Sequence, residues 1–222
     1  MKKKGITFFN IIIIISVIAL VIAVGYGLYY YISNYIAVKE AEEAVDTFEQ
    51  EVINQIEEPL IQENIIEEPI ANTVQEPVKT NNSTQKKTTT TYKKYKMIGT
   101  IQIPKTKVKA PIVDKVTVQS ISAAAAVLYG PGLNEIGNTV LVAHNYRNGT
   151  FFSNNKKLVV GDKIYITDTQ GRKIEYMIYK SYITGDMNFS YATRDTGGKR
   201  EISLSTCTTD ASKRLVIWAK ES

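Results

Sequence analysis

The longest run of apolar positions lies near the N-terminus of the chain. Residues 6–32 carry no charge, and residues 11–15 are all isoleucine. About 20 helical residues cross a hydrocarbon core of about 30 Å, so this stretch predicts a transmembrane helix. A cleaved signal peptide, which is the alternative, has an apolar core of only about 7–15 residues and a small-residue cleavage site. We therefore expect an uncleaved anchor.

The residues that flank the apolar stretch indicate its orientation. Lys2, Lys3 and Lys4 precede it, and tyrosines follow at positions 26, 29, 30, 31 and 35. Positive charge favours the cytoplasmic side of a membrane, and tyrosine favours the membrane–water interface. We expect a single-pass protein of the cell membrane, with a cytoplasmic N-terminus and the rest of the chain on the extracellular face.

The pattern changes twice after the anchor, which we assign to residues 1–38. A three- and four-residue spacing predicts an amphipathic helix with apolar positions at Val38, Ala41, Val45, Phe48, Val52 and Ile56. We interpret this helix as a juxtamembrane stalk without a specific partner. From residue 57 to about residue 91, acidic residues and three prolines predict a flexible spacer. Stalk and spacer together form residues 39–91, and a folded domain forms residues 92–222.

Short apolar segments separated by turn residues dominate the folded domain. The candidate strands are residues 97–103, 108–113, 139–143, 162–168, 173–183, 201–206 and 214–220. Residues 118–128, with four alanines, predict a helix, and residues 151–158 predict a short helical turn. Many short strands and few helices predict a mainly β domain, either a closed barrel or a sandwich.

Charge divides the chain after the anchor into an acidic and a basic part. Residues 40–76 contain 12 acidic residues and no lysine or arginine. Residues 79–222 contain 23 basic and 10 acidic residues, a net charge of +13. A basic domain can bind nucleic acid, anionic lipid or an anionic wall polymer. Because the anchor exports this domain, we expect no nucleic-acid partner.

The chain has one cysteine, Cys207, and one histidine, His144. An exported domain usually carries paired cysteines, and a lone one forms no internal disulfide. Cys207 is therefore either a small buried apolar residue or a reactive thiol. A zinc site of the usual Cys/His kind needs more ligands than these two residues supply. We expect no metal site and no cofactor.

Three reactive residue types stand where predicted strands begin or end. His144 follows the apolar residues 140–143, Cys207 follows residues 202–206, and Arg214 opens the last strand. Cysteine chemistry needs a thiolate, a proton donor for the leaving amine and a group that holds the oxyanion. A guanidinium stays charged and also favours a nearby thiolate. By residue type alone, a structural histidine, a buried cysteine and a solvated arginine remain the alternative.

The local sequences around these residues are more specific. Leu204-Ser205-Thr206-Cys207, followed by Lys213-Arg214-Leu215-Val216-Ile217, resembles the cysteine and arginine strands of the sortase family. Leu141-Val142-Ala143-His144-Asn145 resembles the histidine segment of that family. The resemblance covers about residues 97–220.

One position departs from the family pattern, and other features point to different classes of the family. Ala143 stands where the family usually has glycine. Ser205 and Asn145 are more similar to class B members. The connection between about Gly185 and Glu201, however, is shorter than the helix-containing insertion of class B. The class and its sorting motif therefore stay open.

The resemblance implies a closed, eight-stranded sortase-type β-barrel with one or two short helices. It implies that Cys207 attacks an LPXTG-like sorting signal and forms a thioacyl intermediate. His144 would protonate the leaving amine, and Arg214 would stabilise the oxyanion. Thr206 and Asn145 would bind substrate beside the nucleophile.

The resemblance also implies the partners. Secreted proteins with a sorting signal would be the acyl donors, and the amine of a cell-wall precursor or a pilin would be the acceptor. Sortases are known chiefly from Gram-positive bacteria, where they anchor surface proteins to the cell wall.

Three other protein classes compete with this interpretation. An L,D-transpeptidase would have glycine directly before the cysteine and arginine two residues after it, where this chain has Thr206 and Thr209. A papain-like enzyme would place cysteine before histidine in the chain. A non-catalytic, membrane-tethered β-barrel that binds a partner is the third alternative. Thiol-specific labelling with loss of activity would separate this last class from an enzyme.

Overall fold

A computed structural model describes residues 8–63 and 90–222. The described residues divide into two compact units, one up to Glu40 and one from Ala41 onwards. The first helix, α1 (Phe8–Glu63), contributes to both units. In the first unit its apolar side chains are exposed, which suits a lipid environment. Within the described residues, α1 contains one segment, Phe9–Ile56, that is long and apolar enough to cross a membrane. The predicted spacer falls mainly on residues 64–89, outside the described residues.

The second unit is a closed β-barrel. Its strands are β1 (Thr91–Tyr92), β2 (Tyr95–Ile103), β3 (Val108–Val113), β4 (Ala125–Tyr129), β5 (Gly137–Val142), β6 (Lys163–Asp168), β7 (Lys173–Gly185), β8 (Arg200–Cys207) and β9 (Lys213–Glu221). The strand order is β1-β2-β3-β4-β5-β8-β9-β7-β6, and β6 also pairs with β2. Strands β2–β9 therefore form the eight-stranded barrel that the resemblance implied, and β1 extends it as a short arm.

Glycine is required where β2 bends into the barrel. The pairing of β2 with β3 shifts register between Met97 and Gly99. A Cβ atom on Gly99 would collide with the Leu133 side chain and with the Thr167 carbonyl of the neighbouring strand β6. Barrels close at such irregularities, since a bulge increases the local twist and bend.

The prediction of a helix over residues 118–128 is wrong for most of its length. The helix α2 (Val118–Ile121) ends after one turn, which begins at a reciprocal capping pair between Thr117 and Ser120. The alanines that follow enter β4, which pairs with β3 and β5. Ala125 is buried in the barrel interior and Ala126 on the outer side. Tertiary burial of small side chains on both faces outweighs the helix propensity of alanine here. The predicted turn over residues 151–158 forms as a short 3₁₀ turn, Asn155–Lys157.

The alternation of side chains gives the barrel two apolar clusters. The interior cluster includes Leu141 of β5, Ala143 directly after that strand, Leu204 of β8 and Ile217 of β9. Residues between these positions point outwards, where a second cluster covers the barrel wall. The outer cluster consists of Ala41, Val45, Phe48, Val52, Tyr92, Met97, Val113, Ala124, Ala126, Val140, Val142, Tyr191, Ala192 and Val216.

The amphipathic part of α1 belongs to this outer cluster, so it differs from the partnerless stalk that we expected. Its apolar stripe is buried, with Phe48 fully inaccessible. Its polar positions contact the barrel as well. The Glu49 carboxylate accepts hydrogen bonds from Thr100 Oγ1 at 2.9 Å and from Gln102 Nε2 at 3.1 Å. Asp46 forms an ion pair with Lys109.

Replacing Phe48 with alanine should therefore destabilise the barrel unit. A buried phenylalanine replaced by alanine typically lowers the free energy of unfolding by about 3–5 kcal/mol. Ile53 lies on the exposed side of the same helix, so Ile53→Ala should cost less than about 0.5 kcal/mol. Urea denaturation of the detergent-solubilised chain, followed by fluorescence of Trp218, the sole tryptophan, measures both. Equal effects of the two substitutions would contradict the docking of this helix.

Candidate active site

The three predicted catalytic residues lie at the ends of three neighbouring strands. Strand β8 pairs with β5 in parallel and with β9 in antiparallel orientation. Cys207, at the end of β8, is the direct register partner of Arg214 in β9. Directly opposite residues of an antiparallel pair share one face of the sheet, with Cβ atoms about 4.5–5.5 Å apart. The side chains of Cys207 and Arg214 therefore leave the backbone on the same face of the barrel wall, at neighbouring positions.

His144 reaches this part of the barrel wall from the other side of β8. Strand β5 ends at Val142, which pairs with Ser205. His144 follows Val142 by two residues, and Cys207 follows Ser205 by two residues. Val142 faces the outer cluster, and the two-residue alternation of strands directs His144 towards the same side.

Two hydrogen bonds join the ends of β5 and β8. The Asn145 side-chain amide donates to the Cys207 carbonyl at 2.9 Å, and Thr206 Oγ1 donates to the Ala143 carbonyl at 2.8 Å. The first hydrogen bond runs from the end of β5 to the end of β8, and the second runs in the opposite direction. The structure thus brings Thr206 and Asn145 to the site and gives both a positioning contact. Their predicted contact with substrate stays a prediction.

A cavity of about 980 Å³ opens next to the thiol. Asn145, Thr206 and Cys207 line it, together with the apolar side chains of Phe152, Ile183 and Leu215 and the charged residues Lys156, Asp210 and Lys213. Cys207 is half-buried and its thiol is free of a disulfide. The thiol can therefore meet a ligand in a cavity that has an apolar part and a polar edge.

The loop between β8 and β9 forms one side of the cavity. The Asp210 carboxylate accepts hydrogen bonds from Thr208 Oγ1 at 2.5 Å and from Ser212 Oγ at 2.8 Å. These hydrogen bonds, with that from Thr208 first, lower the pKa of Asp210 to about 2. Asp210 is therefore ionised at neutral pH, and it fixes the turn that leads from Cys207 back to Arg214.

An aromatic side chain packs beside the imidazole. The rings of His144 and Tyr146 lie 5.1 Å apart between centroids, and the Tyr146 hydroxyl donates to the Ser122 carbonyl at 3.1 Å. Partial burial lowers the pKa of His144 below its usual 6.5. The imidazole is thus mainly neutral at neutral pH, and its protonated form is a stronger acid than free imidazolium.

Arg214 is held by the loop that connects β7 to β8. Its Nε donates to the Asp186 carbonyl at 2.9 Å, and its guanidinium carbon lies 5.4 Å from the centroid of the Phe189 ring. Sequence analysis did not single out Asp186 or Phe189 for this role. The contact joins a loop to a strand 25 positions further along the chain, so no local motif signalled it.

The described part of the chain contains no group of three or more His, Cys, Asp or Glu side chains that could hold a metal ion. The structure places one thiol, one imidazole and one guanidinium at adjoining strand ends, and of these three residues only Cys207 lines the cavity. Such a set can perform acyl transfer through a thioester, because it combines a nucleophile, a proton carrier and a fixed cation.

Comparison with known proteins agrees with this chemistry. The family model described as "Sortase domain" matches residues 101–222. No curated protein sequence matches the chain. Among solved structures, a lid mutant of sortase A from Corynebacterium diphtheriae is 26% identical, with a TM-score of 0.53, and the match covers 58% of this chain and 71% of that chain.

Two further solved structures represent other sortase classes. A pilus-related sortase C of Group B Streptococcus is 31% identical, with a TM-score of 0.52, over 57% of this chain and 67% of that chain. A sortase D5 transpeptidase of Clostridium perfringens is 25% identical, with a TM-score of 0.52, over 57% of this chain and 79% of that chain. These relatives span classes A, C and D, so the class of this chain stays open. With a family model that covers more than half of its length and a barrel that carries the expected thiol, this chain belongs to the sortase family of cysteine transpeptidases.

Proposed function

We propose that this protein is a membrane-anchored sortase that cleaves an LPXTG-like sorting signal and transfers the acyl part to an amine. The observation that carries the proposal is the placement of Cys207. The sole thiol of the chain lines a large cavity and is the direct cross-strand partner of Arg214. A buried structural cysteine would need neither the cavity nor the charged neighbour.

The first half of the reaction forms a thioester. The Cys207 thiol passes its proton to the neutral His144 imidazole. The resulting thiolate attacks the carbonyl carbon of the scissile peptide bond, and the carbonyl oxygen becomes an oxyanion. Arg214 stabilises that charge with its guanidinium hydrogens. When the C–N bond breaks, the leaving amine takes a proton from His144, and the acyl group stays on sulfur.

The second half reverses these roles. An incoming amine attacks the thioester carbonyl carbon and loses a proton to His144. The C–S bond breaks, a new amide bond forms, and the Cys207 thiolate is regenerated. The lowered pKa of His144 suits the first half in particular, since a more acidic imidazolium protonates the leaving amine more readily.

The proposed donors are secreted proteins with a sorting signal, and the proposed acceptor is the amine of a cell-wall precursor or a pilin. One of the related structures is described as pilus-related, which supports a pilin among the candidate acceptors. The apolar helix and the lysines before it support a single-pass anchor with the barrel on the extracellular face. We place the protein in a Gram-positive bacterium, where it would attach surface proteins to the wall.

Cys207→Ala should abolish cleavage of a sorting peptide and leave the barrel folded. Cys207 is half-buried at a strand end, so alanine removes the nucleophile without opening a large core cavity. A panel of sorting peptides with an amine acceptor measures cleavage and transfer by chromatography, and Trp218 fluorescence reports folding. Ser181→Ala, at an exposed position of β7 that does not line the cavity, is the control and should retain activity. Cleavage by folded Cys207→Ala at the wild-type rate would contradict the proposed function.

The single histidine allows a direct test of the predicted acidity. Because burial lowers the pKa of His144, its NMR signal should titrate with a midpoint below 6.5. The unfolded chain then binds this proton at higher pH than the folded chain. The contribution of His144 to stability is therefore present above pH 6.5 and is lost as the pH falls through the folded-state pKa. A midpoint above 6.5 would show that the thiol or a carboxylate, and not burial, controls the imidazole.

A further inference from the structure

The guanidinium of Arg214 is already occupied on one edge and one face. The Asp186 carbonyl accepts from Nε, and the Phe189 ring lies against the planar group. Within the described part of the chain, no hydrogen bond from either Nη atom is present. The four Nη hydrogens therefore remain for a ligand, and the two on the edge between the Nη atoms form a fixed fork that matches a carbonyl oxygen or an oxyanion.

The loop that holds Arg214 is itself fixed to the barrel. Tyr191 is buried, and its hydroxyl is 3.0 Å from Ser205 Oγ. The Asn138 amide donates to the carbonyls of Tyr191 and Ala192 at 2.9 and 3.0 Å. The Phe189 ring lies 6.2 Å from the Tyr191 ring, and the Ala192 amide donates to the Phe189 carbonyl at 2.9 Å. These contacts therefore fix the position of the Phe189 ring, although the residue lies in a surface loop.

We propose that Phe189 is a positioning residue for the transpeptidation. Together with the Asp186 carbonyl, it would hold the Arg214 guanidinium so that the free Nη edge faces the oxyanion beside Cys207. This inference rests on the role of Arg214 in the proposed function. A long side chain that is oriented before substrate arrives loses less conformational freedom in the transition state. The planar guanidinium makes the aromatic ring an effective support, because it is attracted to the face of the ring.

A direct contact between Phe189 and the substrate is the competing explanation. Phe189 is 42% exposed, and Met187 in the same loop is 80% exposed. Both side chains could supply apolar surface to a peptide, but of these two described residues only Phe189 forms a cation–π contact with Arg214. Met187 therefore provides the matched control for loss of exposed apolar surface from this loop.

The test compares loop variants of the full chain in detergent, with cleavage of a sorting peptide as the assay. Phe189→Leu keeps an apolar side chain but removes the aromatic face. Its kcat should fall by about two-fold to thirty-fold, the rate equivalent of one cation–π contact, with little change in KM. Phe189→Tyr restores the face and should restore kcat. Met187→Ala should behave as the wild type.

A double-mutant cycle separates positioning from direct contact. If Phe189 acts through Arg214, Phe189→Leu should have no further effect on the slow residual cleavage by Arg214→Ala. NMR of the arginine Nε–Hε groups provides a second measurement that does not need turnover. The Arg214 signal, identified by its absence in Arg214→Lys, should shift in Phe189→Leu because the ring current disappears, and it should stay in place in Met187→Ala.

The outcomes distinguish this inference from the proposed function. An undiminished kcat in Phe189→Leu, an equal loss in the Arg214→Ala background or an unmoved Nε–Hε signal would overturn the positioning role alone. Wild-type cleavage by Arg214→Ala would remove the role of Arg214 and this inference with it. Cleavage by Cys207→Ala would instead contradict the proposed function as a whole.

Discussion

The parallel pairing of β5 with β8 is the constraint on which the site depends. His144 and Cys207 stand 63 positions apart along the chain, and this pairing brings their strand ends together. The Asn145 amide and the Thr206 hydroxyl then fix the register at the end of the pair. A slip by one residue would turn His144 or Cys207 towards the interior, because successive side chains of a strand face opposite sides.

The pairing of β8 with β9 adds a cation to this arrangement. Strand β9 returns antiparallel to β8 and places Arg214 directly across from Cys207. The connecting turn is short, and Asp210 stabilises it by accepting hydrogen bonds from Thr208 and Ser212. Barrel closure by β6 and β2 holds these strands in place from the far side. A cation whose position is set by the barrel needs little reorganisation when an oxyanion develops.

The acidic and basic parts of the sequence also meet in the fold. The helical residues that follow the long apolar stretch of α1 carry Asp46 and Glu49. Their partners on the barrel are Lys109, Thr100 and Gln102. Exposed ion pairs contribute little stability, about 0–1 kcal/mol each, so the buried apolar stripe provides most of the binding. The charges instead favour one orientation of the helix on the barrel. The stretch that we expected to be a stalk thus forms part of the folded unit.

The sequence predicted most strands and the three catalytic candidates because each depends on a local pattern or motif. It did not predict β4, since the alanines of residues 123–126 favour a helix locally and only their burial between β3 and β5 makes them a strand. It did not predict the contact of Phe189 with Arg214 either. That contact joins residues 25 positions apart through a loop whose conformation depends on Tyr191, Ser205 and Asn138. Long-range contacts of this kind leave no periodic pattern in a sequence.

If Cys207 carries the acyl group between donor and acceptor, a covalent intermediate forms on its sulfur. Intact-mass spectrometry of the full chain, mixed with a sorting peptide and no amine acceptor, tests this role directly. We expect a mass increase equal to the acyl fragment, located on the peptide that contains Cys207 and released by hydroxylamine as for a thioester. Cleavage of the peptide without any adduct on Cys207, under conditions that trap the intermediate, would contradict it.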